Sequence, residues 1–176
     1  MKNVIVGLDI STSKVGLCLM DKRFNLIKSN LIKLDTKSEL EERCIQIEKV
    51  LALLASEGYF VEETYVESAF IAFSGGKTSA ITMSKLQRFN GMVCYMIRKL
   101  FGKNATLISP AKARGLVGLK IKRGENTKQK VIEHVSKSFP EDFHFELTRH
   151  GNPKPGTDDR ADAIVIAWAG LNQKTT

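Results

Sequence analysis

Four carboxylates stand out in this chain by where they fall: Asp9, Glu67, Asp159 and Asp162. Asp9 follows the apolar run Val4–Leu8, and Glu67 follows Thr64-Tyr65-Val66. Both runs read as buried strands, so both acids come at strand carboxyl ends, where the ligands of open α/β sheets gather. Asp159 and Asp162 are spaced i, i+3 and share one face of a helix near its N-terminus. Acids arriving from three elements make an anionic, all-oxygen donor set. Such a set suits Mg²⁺ or Mn²⁺, and a pair of those ions can clamp both oxygens of a phosphodiester displacement. Taken singly, each acid also has an ordinary use. Asp9 before Ser11-Thr12-Ser13 can brace a turn, Glu67 can be a solvated strand end, and Asp158 or Asp159 can cap a helix. Asp162 is harder to place that way. Ala161 and Ala163 flank it and Ile164-Val165-Ile166 follows, so it lies near a buried face, where an acid needs a partner or a metal.

The elements that must position these acids are readable from periodicity. Val4–Leu8, Val15–Met20 and Leu26–Leu34 read as three strands on short polar connections, an antiparallel meander. Leu40, Cys44, Ile47, Leu51 and Leu54 make one apolar stripe on a helix ending at Gly58. Thr64–Val66 is the next strand, and Ser74–Lys77 is a loop. A long helix runs from about Ser79 to Phe101, with Leu86, Phe89, Val93, Met96 and Leu100 on one side. Gly91 inside it marks a place for close helix packing. Ala105–Ile108 is a fifth strand, which Pro110 ends. Asn126–Ser138 is a helix, Asn152–Gly156 a stiff loop, and Asp159–Leu171 a last helix. The order β-β-β-α-β-α-β-α-α is a mixed α/β layer fold, expected as a single domain over residues 1–176.

Composition narrows the function classes. The chain has 176 residues and a formal net charge of +8. Hydrophobic residues make up 43% and charged residues 26%, a globular composition that argues against disorder. No apolar run is long enough to span a membrane, and no signal-peptide pattern opens the chain, so a cytoplasmic protein is expected. Cys18, Cys44 and Cys94 are far apart and odd in number, and read as buried, reduced thiols. The charge is polarised along the chain. Lys103–Lys137 carries nine basic residues against two acids, whereas Asp35–Glu63 carries eight acids against three bases. Lys120-Ile121-Lys122-Arg123-Gly124 is a candidate phosphate-gripping loop, with Lys130 close behind it. A basic stretch of this kind favours a polyanionic partner.

Three segments taken together carry a resemblance. Val6-Gly7-Leu8-Asp9-Ile10-Ser11-Thr12-Ser13, Tyr65-Val66-Glu67-Ser68-Ala69-Phe70 and Asp159-Arg160-Ala161-Asp162-Ala163-Ile164 resemble, in order and spacing, the RuvC family of Holliday junction resolvases. The resemblance spans about Val4 to Ala169. It implies a ribonuclease H-like fold with a five-stranded mixed sheet flanked by helices. It further implies a homodimer that cuts four-way DNA junctions by paired nicks, using divalent metal held by Asp9, Glu67, Asp159 and Asp162. It makes Lys128, in Gly124–Val131, the active-site lysine and Phe70 the aromatic inserted at the junction centre. It also places the dimer interface on the apolar side of the Ser79–Phe101 helix. Taken on residues alone, Phe70 beside Ile71 and Phe73 reads as core and Lys128 as a solvated charge. Ile10-Ser11-Thr12-Ser13 stands where the bacterial family has Pro-Gly-Ser, and Arg149–Asp158 has its own composition. These departures are those of a divergent branch, phage, viral or bacterial.

Three other readings compete with this one. Gly76-Lys77-Thr78 looks like the end of a P-loop, but the pattern requires glycine at position 71, which is Ile71. Gly7–Ser13 also resembles the first phosphate loop of sugar kinases and actin-like ATPases, which need two such domains around a nucleotide. A non-catalytic module binding junctions or single strands would have no use for four anions facing DNA.

Overall fold

The structure is a computed structural model and describes residues 1–69 and 80–175. Phe70 and the Ser74–Lys77 loop lie outside the described residues. In chain order the elements are β1 (Lys2–Ile10), β2 (Lys14–Met20), β3 (Leu26–Lys33), α1 (Leu40–Ser56) and β4 (Tyr59–Glu67). They are followed by α2 (Ala80–Phe101), β5 (Thr106–Ile108), α3 (Pro110–Leu116), α4 (Thr127–Ser138) and α5 (Thr157–Thr175). The five strands form one sheet ordered β3-β2-β1-β4-β5. The β1–β2 and β2–β3 pairs are antiparallel, and β1–β4 and β4–β5 are parallel.

Helices cover both faces of the sheet. Val4, Val6 and Leu8 of β1 pack with Ile47 and Leu51 of α1 and Phe89 and Val93 of α2. Ile5 of β1, Cys18 of β2 and Tyr65 of β4 pack on the opposite face with residues of α3, α4 and α5. A central strand buried on both sides needs an apolar run rather than strict alternation, which is what Val4–Leu8 supplies. Among the described residues no helix is long and apolar enough to cross a membrane.

Several boundaries differ from the sequence reading, each for a local reason. The β1–β2 ladder continues through Asp9↔Gly16 and Ile10↔Val15, so Asp9 lies within β1 rather than past its end. Ser11 closes the turn, its backbone N–H and its hydroxyl both donating to the Lys14 carbonyl at 3.0 and 2.8 Å. Pro110 does more than end β5. It opens α3, with Ser109 as N-cap accepting from the Lys112 N–H, since proline suits the first helical turn. α5 starts at Thr157, two residues early, because the Arg160 N–H already bonds the Gly156 carbonyl. Asp158 and Asp159 therefore sit in the first turn, and neither is the cap.

Helix α2 changes two expectations. Phe89, Val93 and Met96 enter the protein's own core, which leaves only Leu86 and Leu100 of that stripe part-exposed for a second subunit. Gly91 marks no close packing either, since a Cβ there would meet nothing within 4 Å. Of the three free cysteines, Cys18 and Cys44 are buried and Cys94 only partly so.

One buried cation holds the loops beside Asp9. Arg43 of α1 is 5% exposed. Its guanidinium donates to the carbonyls of Thr12 (2.6 Å), Thr36 (2.6 Å) and Ser38 (2.7 and 2.9 Å). Arg43→Met keeps the apolar stem but strands these acceptors. A loss of about 3 kcal/mol is expected in urea unfolding. An unchanged midpoint would show that the carbonyls find water instead.

Candidate active site

Period-two alternation decides which way β1 points its side chains. Val4, Val6, Leu8 and Ile10 face α1 and α2, so Ile5, Gly7 and Asp9 face α5. On β4, Tyr65 lies on the α5 face, and Glu67 shares its parity. Leu8 pairs with Val66 in the parallel ladder, and Asp9 and Glu67 are the next residue on each strand. Their carboxylates thus leave neighbouring strands, about 4.8 Å apart, on one face. The β4 end is fixed by Asn90 of α2, whose side-chain amide donates to the Glu67 carbonyl at 3.0 Å.

The α5 acids are brought down by two glycines. Gly16 of β2 lies directly opposite Asp9, and a Cβ on it would stand 2.0 Å from the Asp159 carbonyl oxygen. A Cβ on Gly7 would stand 2.3 Å from the Ala163 carbonyl oxygen. Bare backbone at both positions lets α5 rest on β1 and β2 without intervening side chains. Asp159 is thereby held over the strand beside Asp9, and Asp162 lies between the two contacts along the helix.

The electrostatics are those of a crowded anionic site. Burial, followed by the charges of Glu67, Asp162, Asp159 and Asp158, pushes the Asp9 carboxyl up to about 9. Burial and the Asp162 charge raise Glu67 to about 7, against the pull of Arg114. Burial raises Asp162 to about 6, again opposed first by Arg114. Burial raises Asp159 as well, opposed by Lys14. Asp158 goes the other way. Burial would raise it, but Lys128 outweighs that and holds it at about 2.

Three cations partly offset the charge. Lys14 Nζ is 2.5 Å from Asp159 Oδ2, a charge contact rather than a well-directed hydrogen bond. Lys128 Nζ donates to Asp158 Oδ2 at 2.5 Å. Arg114 of α3 acts on both Glu67 and Asp162. Lys128 thus stands at the edge of the acids, engaged by Asp158 and also feeling Asp159 and Asp162.

The expected DNA-contacting cations are arranged unequally. Lys120, Lys122 and Arg123 are exposed on the loop between α3 and α4. That loop is fastened by the Lys122 N–H donating to Glu125 Oε2 at 2.7 Å. Lys130 is already engaged by Glu125 at 3.5 Å and Glu133 at 3.4 Å.

Sequence reasoning missed Lys14, Gly7, Gly16, Arg114 and Asn90. Lys14 and Gly16 were within reach, because they share strand parity and so face α5 together. Arg114 was not, because its helix was not foreseen.

The donor set fits a hard divalent cation. It is all carboxylate, drawn from three elements, and burial, with the charges of the neighbouring acids behind it, raises its members towards the protonated form, the mark of missing positive charge. As the side chains stand, no three acids, histidines or cysteines among the described residues converge on a single point.

No protein-family model matches the chain, and no curated protein matches it. Solved structures do. Thermus thermophilus RuvC in complex with a Holliday junction substrate superposes with a TM-score of 0.67 at 17% identity, covering 98% of this chain and 95% of that one. Fowlpox virus resolvase, in complex with its substrate Holliday junction DNA, gives 0.54 at 16% identity, covering 98% and 99%. The yeast mitochondrial Holliday junction resolvase Ydc2 gives 0.53 at 12% identity, covering 97% and 80%. The chain therefore shares the α/β fold of these resolvases, a five-stranded mixed sheet flanked by helices, as RuvC-like and ribonuclease H-like proteins have it.

Proposed function

We propose that the chain is a divalent-metal-dependent, structure-selective DNA endonuclease that resolves four-way (Holliday) junctions by paired symmetric nicks. What supports this reading is that Asp9 and Glu67 leave adjacent parallel strands on the face covered by α5, which carries Asp159 and Asp162 and rests on bare glycine backbone. Those four carboxylates are the proposed ligands of Mg²⁺, with Mn²⁺ able to substitute. When bound, the metal supplies the positive charge that acidifies the attacking water and offsets charge on the leaving 3′-oxygen. Asp9 and Glu67 would hold that charge from the sheet, and Asp159 and Asp162 from α5. Lys128, at the rim, neutralises charge on the phosphate undergoing attack. Lys120, Lys122 and Arg123 grip the backbone of a neighbouring arm, and Phe70 serves as the apolar wedge at the junction centre. The products are 5′-phosphate and 3′-hydroxyl ends.

Two symmetric nicks call for two active sites, so the working unit is a homodimer with a two-fold axis matching that of the junction. With the apolar stripe of α2 turned inward, the paired surface lies on its outer side. Tyr95 is 74% exposed there and lines a groove with Ile45 of α1, Met92 and Gly91.

The test is nicking of an immobile four-way junction, with Mg²⁺ and with chelator. Paired nicks at symmetric positions, present only with metal, are expected. Tight junction binding in chelator, with no cutting at any metal concentration, would replace the nuclease with a binding module.

A further inference from the structure

Beside the acids lies a second feature that metal ligation and phosphate gripping leave unused. The chain between α4 and α5 folds back on itself. Leu147 bridges Pro153 in antiparallel fashion. The Lys154 N–H bonds the Glu146 carbonyl at 2.9 Å, the Thr148 N–H bonds the Asn152 carbonyl at 2.7 Å, and Gly151 turns the tip at φ +76°. The result is an ordered hairpin that forms one wall of a groove whose other wall is α4. The groove is about 620 Å³ and ends at the Lys128–Asp158 pair, at the edge of the acid cluster.

The lining is mixed in a particular way. Ile132, Phe145 and Leu147 give it apolar surface, and Leu147 is 55% exposed in a region otherwise rich in charge. Gln129 donates its amide N–H to Glu133 at 3.1 Å, which leaves its amide oxygen for another donor. The Asn152 side chain, also lining the groove, has no partner among the described residues. Lys128, Lys137 and Lys154 also line it, Lys128 paired with Asp158 and Lys154 with Glu146. A site for phosphate alone would not need the apolar wall or the amides. A site for an apolar peptide would not carry three lysines in its lining. Apolar faces, amides able to pair with donor–acceptor edges and lysines in the lining together suit a nucleobase on a strand whose phosphates lie nearby.

We propose that this groove receives one unstacked base of the cut strand next to the scissile phosphate and reads its edge through Gln129 and Asn152. The groove would then set the sequence preference of cutting, separately from the acids that perform it. The inference rests on the nuclease reading.

The experiment is a cleavage-preference profile on a library of four-way junctions randomised around the cut site. Parent protein is compared with Asn152→Ala and with the double variant Gln129→Ala/Leu147→Ser. The parent is expected to discriminate about tenfold or more at one position flanking the cut. Both variants should cut the library but discriminate less than about threefold there, with other positions unchanged. An abasic site at that position should slow the parent by a similar factor and leave the double variant unaffected. An unchanged profile in the variants overturns the proposal, as does a change confined to salt dependence. A parent that cuts no junction at all overturns the nuclease reading instead, so the two failures are distinguishable.

Discussion

Asp9→Asn is expected to abolish nicking and at the same time to make the metal-free protein harder to unfold. The loss of cutting, on the order of a thousandfold or more, follows from removing one of the four proposed metal ligands. The gain in stability follows from linkage. In the folded protein Asp9 keeps its proton up to about pH 9, whereas its ordinary value is 3.8. Between those values the folded state binds more protons than the unfolded state, so stability falls as pH rises. Glu67 and Asp162 add to the decline up to about pH 7 and about pH 6. Asparagine has no proton to lose and no charge to repel. In chelator the variant should therefore match the parent near pH 4 and exceed it progressively to pH 8, by an order of a few kcal/mol, or several degrees in Tm. Thermal melts at three pH values, alongside the nicking assay, measure both effects. A variant that melts below the parent at pH 8 would show that Asp9 is satisfied without a metal.

Gly16→Ala should be the most damaging single methyl addition to the sheet. Its Cβ would fall 2.0 Å from the Asp159 carbonyl oxygen and 2.6 Å from the carbonyl carbon. Backbone cannot swing aside as a side-chain tip can, so α5 has to lift or the strand has to shift. Either response separates Asp159 from Asp9. A loss of at least about 2 kcal/mol in urea unfolding is expected, together with loss of nicking. Gly7→Ala should behave alike, with Ala163 O and Ala167 Cβ at 2.3 and 2.7 Å. Gly115→Ala, in α3 and facing open space, is the internal control. It should stabilise by about 0.5–1 kcal/mol through helix propensity alone. Equal midpoints for Gly16→Ala and the parent would mean that α5 does not rest on that strand as closely as it stands here.

The sheet and the four acids were legible because they depend on local pattern. Apolar runs ending in an acid point to a strand and its terminus, and an i, i+3 pair points to one helix face. What escaped depends on how elements meet. Gly7 and Gly16 look like ordinary strand glycines until α5 is laid over them. Lys14 looks like the edge of a polar turn until the β1–β2 ladder is seen to run past Asp9. Pro110 carries a stop signal and a start signal at once, and only the Ser109 cap decides between them. For α2 the period was right and the destination wrong. An apolar stripe says that a face is covered without saying whether by its own chain or by another.

The order in which the chain is made gives the glycine bed a further meaning. Of the described elements α5 is synthesised last, yet it touches all five strands and carries half of the proposed ligands. Until it docks, Asp9 and Glu67 face water with no partner above them. An unfinished or C-terminally clipped chain would own a sheet and two acids but no complete site. On the proposed function, the helix that finishes the core would also serve as a check on completion, since only a molecule whose synthesis has reached α5 would hold all four acids.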